Sequence, residues 1–258
     1  MGKRTPIHEI KRSGELSHRH GLARALSKLG YCSRSQAEIL IRAGRVRLNG
    51  AVRRDPETPV RIATDRIQVD GQAIGAAQKI YLAMNKPRGL VTTTSDEKGR
   101  DTVYSSLPQG LPWLAPVGRL DKASEGLLLF TNDSEWAARV TAPETHLSKT
   151  YYVQVAAIPP EELLAALVKG FRAEDGDFLR AKSVRILRSG GRNAWLEVIL
   201  DEGKNREIRR MLEQYGMEVL RLVRVAIGSL ELGSLKKGET RTVTAKEKLA
   251  LDHAMRRK

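Results

Sequence analysis

The chain has 258 residues, 41% of them hydrophobic, with a formal net charge of +15 and a pI near 10.1. That length suits one large domain or a large plus a small one, and so basic a surface attracts polyanions. The single cysteine excludes an internal disulfide and points to a reducing, cytoplasmic setting. No apolar run approaches the roughly 18 residues of a membrane span, and the basic start lacks the apolar stretch of a secretory signal.

In chain order, residues 1–17 are polar and irregular and read as a disordered basic tail. Residues 1–78 hold 15 Lys/Arg against 7 Asp/Glu, a surplus of 8, and 12 of those cations are arginine. The planar fork of arginine suits phosphate oxygens and stacks on bases. Leu22, Ala25, Leu26 and Leu29 recur at helical spacing up to Gly30. Ser33 with Gln36 forms a capping box for a second helix, which buries Ala37, Leu40 and Ile41, ends at Gly44 and leaves Arg34, Arg42 and Arg45 on its other side. Cys32, between Tyr31 and Ser33 at a helix start, is a poor nucleophile. Val46-Arg47-Leu48 alternates into Asn49-Gly50, the signal of a type I′ hairpin, and Ile67-Gln68-Val69 alternates into Asp70-Gly71.

Gly75-Ala76-Ala77-Gln78 reads as a linker, and β-type runs dominate beyond it: 80–84, 127–131, 151–156, 184–187, 194–200 and 220–227. Helices are predicted over 134–140, from Pro160 to about Lys169, and over 204–215. Without a strict βαβ rhythm this is an α+β chain: a small N-terminal module of two helices plus a β-hairpin, then a mixed, largely antiparallel sheet with flanking helices.

The chemistry concentrates around Gly118-Arg119-Leu120-Asp121. A carboxylate there sits between a Gly/Pro-punctuated loop and an apolar strand, Leu127 to Phe130, and such a loop can hold one charged side chain at the rim of a cleft on a rigid support. Out of context such an Asp is a surface turn residue that caps Ser124 or faces water. Arg206, Arg209 and Arg210 crowd one side of a helix start, an arrangement that repels itself unless anions meet it. Tyr151 and Tyr152 point to opposite faces of one strand, so at most one can serve a cleft. There is no Gly-x-Gly-x-x-Gly, no Walker loop and no zinc-ligand spacing, so no nucleotide cofactor or metal is expected.

Four segments in order resemble the RsuA-type pseudouridine synthases that modify ribosomal RNA: Asn85 to Val91, Pro116 to Asp133, Lys149 to Val153 and Glu202 to Met211. The stretches Ser33 to Glu38 and Ala43 to Gly50 resemble an S4 RNA-binding module, with Ser35 where relatives often carry a second basic residue. The resemblance implies an S4 domain over 18–76, a catalytic domain over 77–247 and a basic tail over 248–258. It implies isomerisation of one uridine, flipped out of its stack, with no cofactor because no redox change occurs. Asp121 is the implied nucleophile or base, Arg209 its charge partner, and Tyr151 the ring that stacks on the base. Implied RNA contacts are Arg34, Arg42, Arg45 and Arg47 in the module, then Lys86, Arg88, Arg119 and Lys149, then Lys204, Arg206 and Arg210. Glu207 stands where relatives often carry Gln. The expected partner is ribosomal RNA, met by a monomer. The rival reading is a non-catalytic S4-type RNA-binding or ribosome-assembly protein, which would have no need of a carboxylate aimed at RNA.

Overall fold

A computed structural model describes residues 19–93 and 99–256, so the tail expected at 1–17 lies outside the described residues. The chain divides into two compact units after Ala77.

The first unit contains β1 (His20–Gly21), α1 (Leu22–Lys28), α2 (Arg34–Arg42), β2 (Val46–Leu48), β3 (Ala51–Arg53), β4 (Pro59–Val60), β5 (Ile67–Val69) and β6 (Gln72–Ile74). The capping box forms in full: Ser33 Oγ accepts the Gln36 N–H, and the Gln36 side chain accepts the Ser33 N–H. Asn49 and Gly50 both have positive φ (52° and 84°), as do Asp70 and Gly71 (50° and 81°), the backbone that twist-matched two-residue hairpins require. Hairpins β2–β3 and β5–β6 join through β2–β5 into a four-stranded antiparallel sheet with order β3-β2-β5-β6. Leu22, Leu26, Ile41, Val46 and Val60 close the core, each fully buried. Cys32 is buried there, its thiol pushed up to about 11 by desolvation, and is inert as a nucleophile.

The second unit is built on a nine-stranded sheet. It contains β7 (Tyr81–Lys86), β8 (Ala115–Val117), β9 (Glu125–Thr131), α3 (Ser134–Thr141), β10 (Lys149–Val155), α4 (Glu161–Lys169), the small pair β11 (Phe171–Arg172) and β12 (Phe178–Leu179), β13 (Ser183–Ser189), β14 (Ala194–Leu200), α5 (Glu207–Glu213), β15 (Val219–Ile227), β16 (Leu230–Glu231), β17 (Thr240–Thr242) and α6 (Ala245–Ala254). The order is β13-β14-β10-β15-β9-β7-β17, with β16 beside β15 and β8 beside β9. Its pairings are antiparallel except β15–β9, which is parallel. β9 is buried along its whole length. Leu128 and Phe130 face one core with Val153 and Leu196, whereas Leu127 and Leu129 face the other with Trp136 and Leu251. Burial on both faces explains why this strand reads as an unbroken apolar run.

The C-terminal boundary differs from the sequence reading, which ended the catalytic domain at 247 and left 248–258 as a tail. Residues 245–254 form α6, and three local features hold it. Thr244 and Glu247 make a capping box, Leu251 is fully buried, and Asp252 accepts a hydrogen bond from Trp136 Nε1 at 3.0 Å. The helix predicted over 204–215 begins at Glu207, because Arg206 adopts a left-handed backbone (φ 48°) just before it. Among the described residues no helix is long and apolar enough to cross a membrane.

Candidate active site

The loop 118–124 joins β8 to β9, and Asp121 lies at its tip. The loop closes on itself through the Ser124 N–H to Asp121 carbonyl bond of 2.9 Å. It is also held from beneath. Thr92 Oγ1 donates to the Leu120 carbonyl at 2.7 Å and accepts the Leu120 N–H at 3.3 Å. The ammonium of Lys86, at the end of β7, donates to the carbonyls of Pro87 (3.1 Å), Asp121 (3.2 Å) and Ser124 (2.9 Å). Lys86 is fully buried, and desolvation pushes it down to about 8 against the pull of Asp121 and Glu125. Lys86 is therefore not the phosphate contact expected from sequence: its side chain runs inward from a buried strand end and is consumed by the loop's main chain. Arg88, two residues on, is exposed.

Past the loop, Glu125 opens β9 as a buried carboxylate. Burial pushes it up, but Arg221 (3.1 Å) and Lys237 (2.6 Å) prevail and hold it below the usual carboxylate range.

The Asp121 carboxylate faces a cleft of about 410 Å³. Arg119, Tyr151, Lys149, Arg206 and Arg224 also line it. Tyr151 is buried on β10 while Tyr152 is exposed on the opposite face, so the first of the two serves the cleft. The Asp121 side chain is 37% exposed, so the site is open to water as it stands.

The ion pair that Asp121 makes is with Arg206, Nη1 to Oδ2 3.9 Å. Arg209 was expected in that place. Its guanidinium instead donates to the carbonyls of Ala123 and Val219, each at 3.4 Å, and its buried Nε has no hydrogen-bond partner among the described residues. Burial and neighbouring Arg206 disfavour its charge and Asp121 supports it, and its bond to Ala123 ties it to the loop's main chain. The left-handed turn at Arg206 explains the exchange, since it lets that side chain reach the carboxylate ahead of the helix.

The other cations expected at RNA also divide. Arg210 is held by Asp175 (2.6 Å) and Asp177 (2.9 Å) on the β11–β12 turn, so its charge is already met within the protein. Lys204 donates to the Phe178 carbonyl at 2.6 Å and pairs with Glu202 at 3.2 Å. Lys149 is buried at the cleft wall rather than on the surface. In the first unit Arg34, Arg42 and Arg47 are exposed, while Arg45 forms a two-pronged pair with Asp70 at 2.5 and 2.8 Å. Glu207 accepts the Lys204 N–H at 3.0 Å, and its carboxyl is pushed up by burial.

Sequence reasoning missed Arg224. The signal was present: Arg221 and Arg224 stand three apart in an alternating apolar strand, so one of them must face the interior.

Two family models match the chain: one described as RNA pseudouridylate synthase over residues 80–214, and the S4 domain over residues 21–67. An RNA pseudouridine synthase of Rickettsia bellii (strain RML369-C) is 42% identical over 225 residues, covering 87% of this chain and 97% of the relative. The ribosomal large subunit pseudouridine synthase B of Bacillus subtilis (strain 168) is 36% identical over 231 residues, covering 88% and 93%. A crystal structure of a pseudouridylate synthase superposes with a TM-score of 0.64 at 28% identity, covering 91% of this chain and all of that one (100%). Fold and sequence thus define an RNA-modifying isomerase. The chain belongs to the RNA pseudouridylate synthase family, in its RsuA-type branch with an S4 domain in front of the catalytic sheet.

Proposed function

We propose that this enzyme isomerises one uridine of large-subunit ribosomal RNA to pseudouridine, with Asp121 as the reacting carboxylate on a flipped-out nucleotide. The observation that carries the reading is the placement of Asp121: at the tip of a loop clamped by Lys86 and Thr92, facing a cleft whose wall is the buried Tyr151. A carboxylate so placed can attack the sugar C1′ or take the proton at C2′. The Tyr151 ring offers a flat face to a base that has left its stack. When RNA covers the cleft, water leaves it, and the Arg206 charge gains strength as the dielectric falls. The exposed Arg34, Arg42 and Arg47 of the S4 unit supply non-specific attraction to the phosphate backbone. The large subunit is the proposed target because the B. subtilis and Haemophilus influenzae relatives are named for it.

Mapping pseudouridines in ribosomal RNA from cells with and without the gene tests the reading. One large-subunit pseudouridine should vanish and return with the intact gene but not with Asp121→Asn. An unchanged map would refute the substrate assignment.

A further inference from the structure

The cleft contains two buried cations with no part in the carboxylate chemistry. Arg224 lies directly opposite Tyr151 in the β10–β15 pairing, so its side chain shares the face that carries the ring. It is only 6% exposed. Nε donates to the Leu127 carbonyl at 2.7 Å, but Nη2 is buried without a hydrogen-bond partner among the described residues. An orphaned charged N–H in the interior is costly, and a cleft ligand is the natural acceptor. The Arg224 main chain packs tightly against β9: a Cβ on Gly126 would lie 2.2 Å from the Arg224 carbonyl oxygen. Lys149, two residues before Tyr151, is also buried and lines the same cleft. Burial and Arg224 both disfavour its charge, while Asp201, Glu202 and Glu207 support it.

A buried pair of this kind calls for an anion that forms inside the cleft. The proposed reaction makes one. When C1′–N1 breaks, its electron pair stays with the base and gives a uracil anion, with charge spread over N1, O2, O4 and C5. The C5 pair then forms the C1′–C5 bond, the C5 proton leaves, and N1 takes up a proton. Whether Asp121 bonds to C1′ or removes and returns the C2′ proton, the base is anionic while detached.

We propose that Arg224 and Lys149 bind the carbonyl oxygens of the detached uracil anion, stabilising its charge while it turns beside Tyr151. This rests on the reading of the cleft as the uridine site. The exposed Arg119 suits a phosphate at the rim and Arg206 pairs with Asp121, whereas a buried guanidinium on the face of the ring suits the base.

The test is the single-turnover rate of Arg224→Lys and Lys149→Met on large-subunit ribosomal RNA transcribed with uridine or with 5-fluorouridine. Breakage of the target N-glycoside is followed by nuclease digestion and chromatography. Fluorine at C5 lets the departing base carry its charge with less help. Each variant should slow about 100-fold on the uridine RNA, in line with losing one preorganised oxyanion donor. The slowing should shrink to about 10-fold on the fluorinated RNA, with RNA Kd within about twofold of wild type. Equal slowing on both RNAs, or rates like wild type, would overturn the proposal. So would weakened RNA binding with a salt slope lower by about one, the mark of a phosphate contact. Arg224→Met tests charge more harshly, and Lys149→Met decides the matter if that protein does not fold. An active Asp121→Asn would refute the Asp121 assignment alone; an inactive one beside fast Arg224→Lys and Lys149→Met would refute this proposal alone.

Discussion

Replacing Lys86 with Met separates positioning from stability. The ammonium donates to three carbonyls, two of them in the loop that carries Asp121. Removing it costs roughly 2–4 kcal/mol in lost hydrogen bonds and stranded acceptors. Against that, the buried charge is itself unfavourable. Its shift from 10.5 to about 8 corresponds to on the order of 3 kcal/mol in the charged state. The two effects nearly offset at pH 7, so the variant should fold with stability close to wild type. Activity should not survive as well: without its anchor Asp121 shifts, and a displacement near 1 Å can cost about 100-fold. The pH dependence gives a second signature. The folded value near 8 lies below the unfolded one near 10.5, so between them the unfolded chain binds more protons and stability rises with pH. Lys86→Met should lack that rise. Urea unfolding at pH 7 and pH 10, with single-turnover rates at pH 7, measures both. A variant with wild-type turnover, or one that keeps the full alkaline gain in stability, would refute the reasoning.

Gly126→Ala should destabilise the second unit by several kcal/mol, since its Cβ would strike the Arg224 backbone at 2.2 Å and φ there is +101°; a melting temperature equal to wild type would contradict the close strand approach. Deleting residues 1–77 should leave the sheet unit folded, as judged by circular dichroism, and lower both RNA affinity and the salt slope, whereas an unchanged slope would assign the basic unit to another partner. Arg241 and the Thr244 cap hold Glu247 down at about 2. Its contribution is therefore present above its unfolded value near 4.5 and is lost as pH falls toward 2. Glu247→Gln should flatten the acid limb of an unfolding curve followed by circular dichroism, and an identical acid limb would contradict it.

Local signals were legible where one short-range rule decides the outcome. The Ser33–Gln36 capping box, the Asn49-Gly50 turn and the buried run of β9 needed no tertiary information. The opposite faces of Tyr151 and Tyr152 followed from strand periodicity. What stayed hidden depends on where long side chains end. Lys86 reads as a surface cation beside Arg88, yet its strand is central enough to turn the ammonium inward. Arg206 and Arg209 are indistinguishable by type, and only the left-handed backbone at Arg206 decides which meets Asp121. Arg210 is absorbed by Asp175 and Asp177, 35 and 33 residues away in sequence, a pairing that no local pattern announces.

The most direct test of the central claim replaces the Asp121 carboxylate by an amide of nearly the same shape. Purified wild-type protein and Asp121→Asn are incubated with unmodified large-subunit ribosomal RNA, and pseudouridine formation and RNA affinity are measured side by side. Asp121→Asn should bind RNA within a few-fold of wild type and form no pseudouridine at the wild-type position. Pseudouridine formation by Asp121→Asn near the wild-type rate would contradict it.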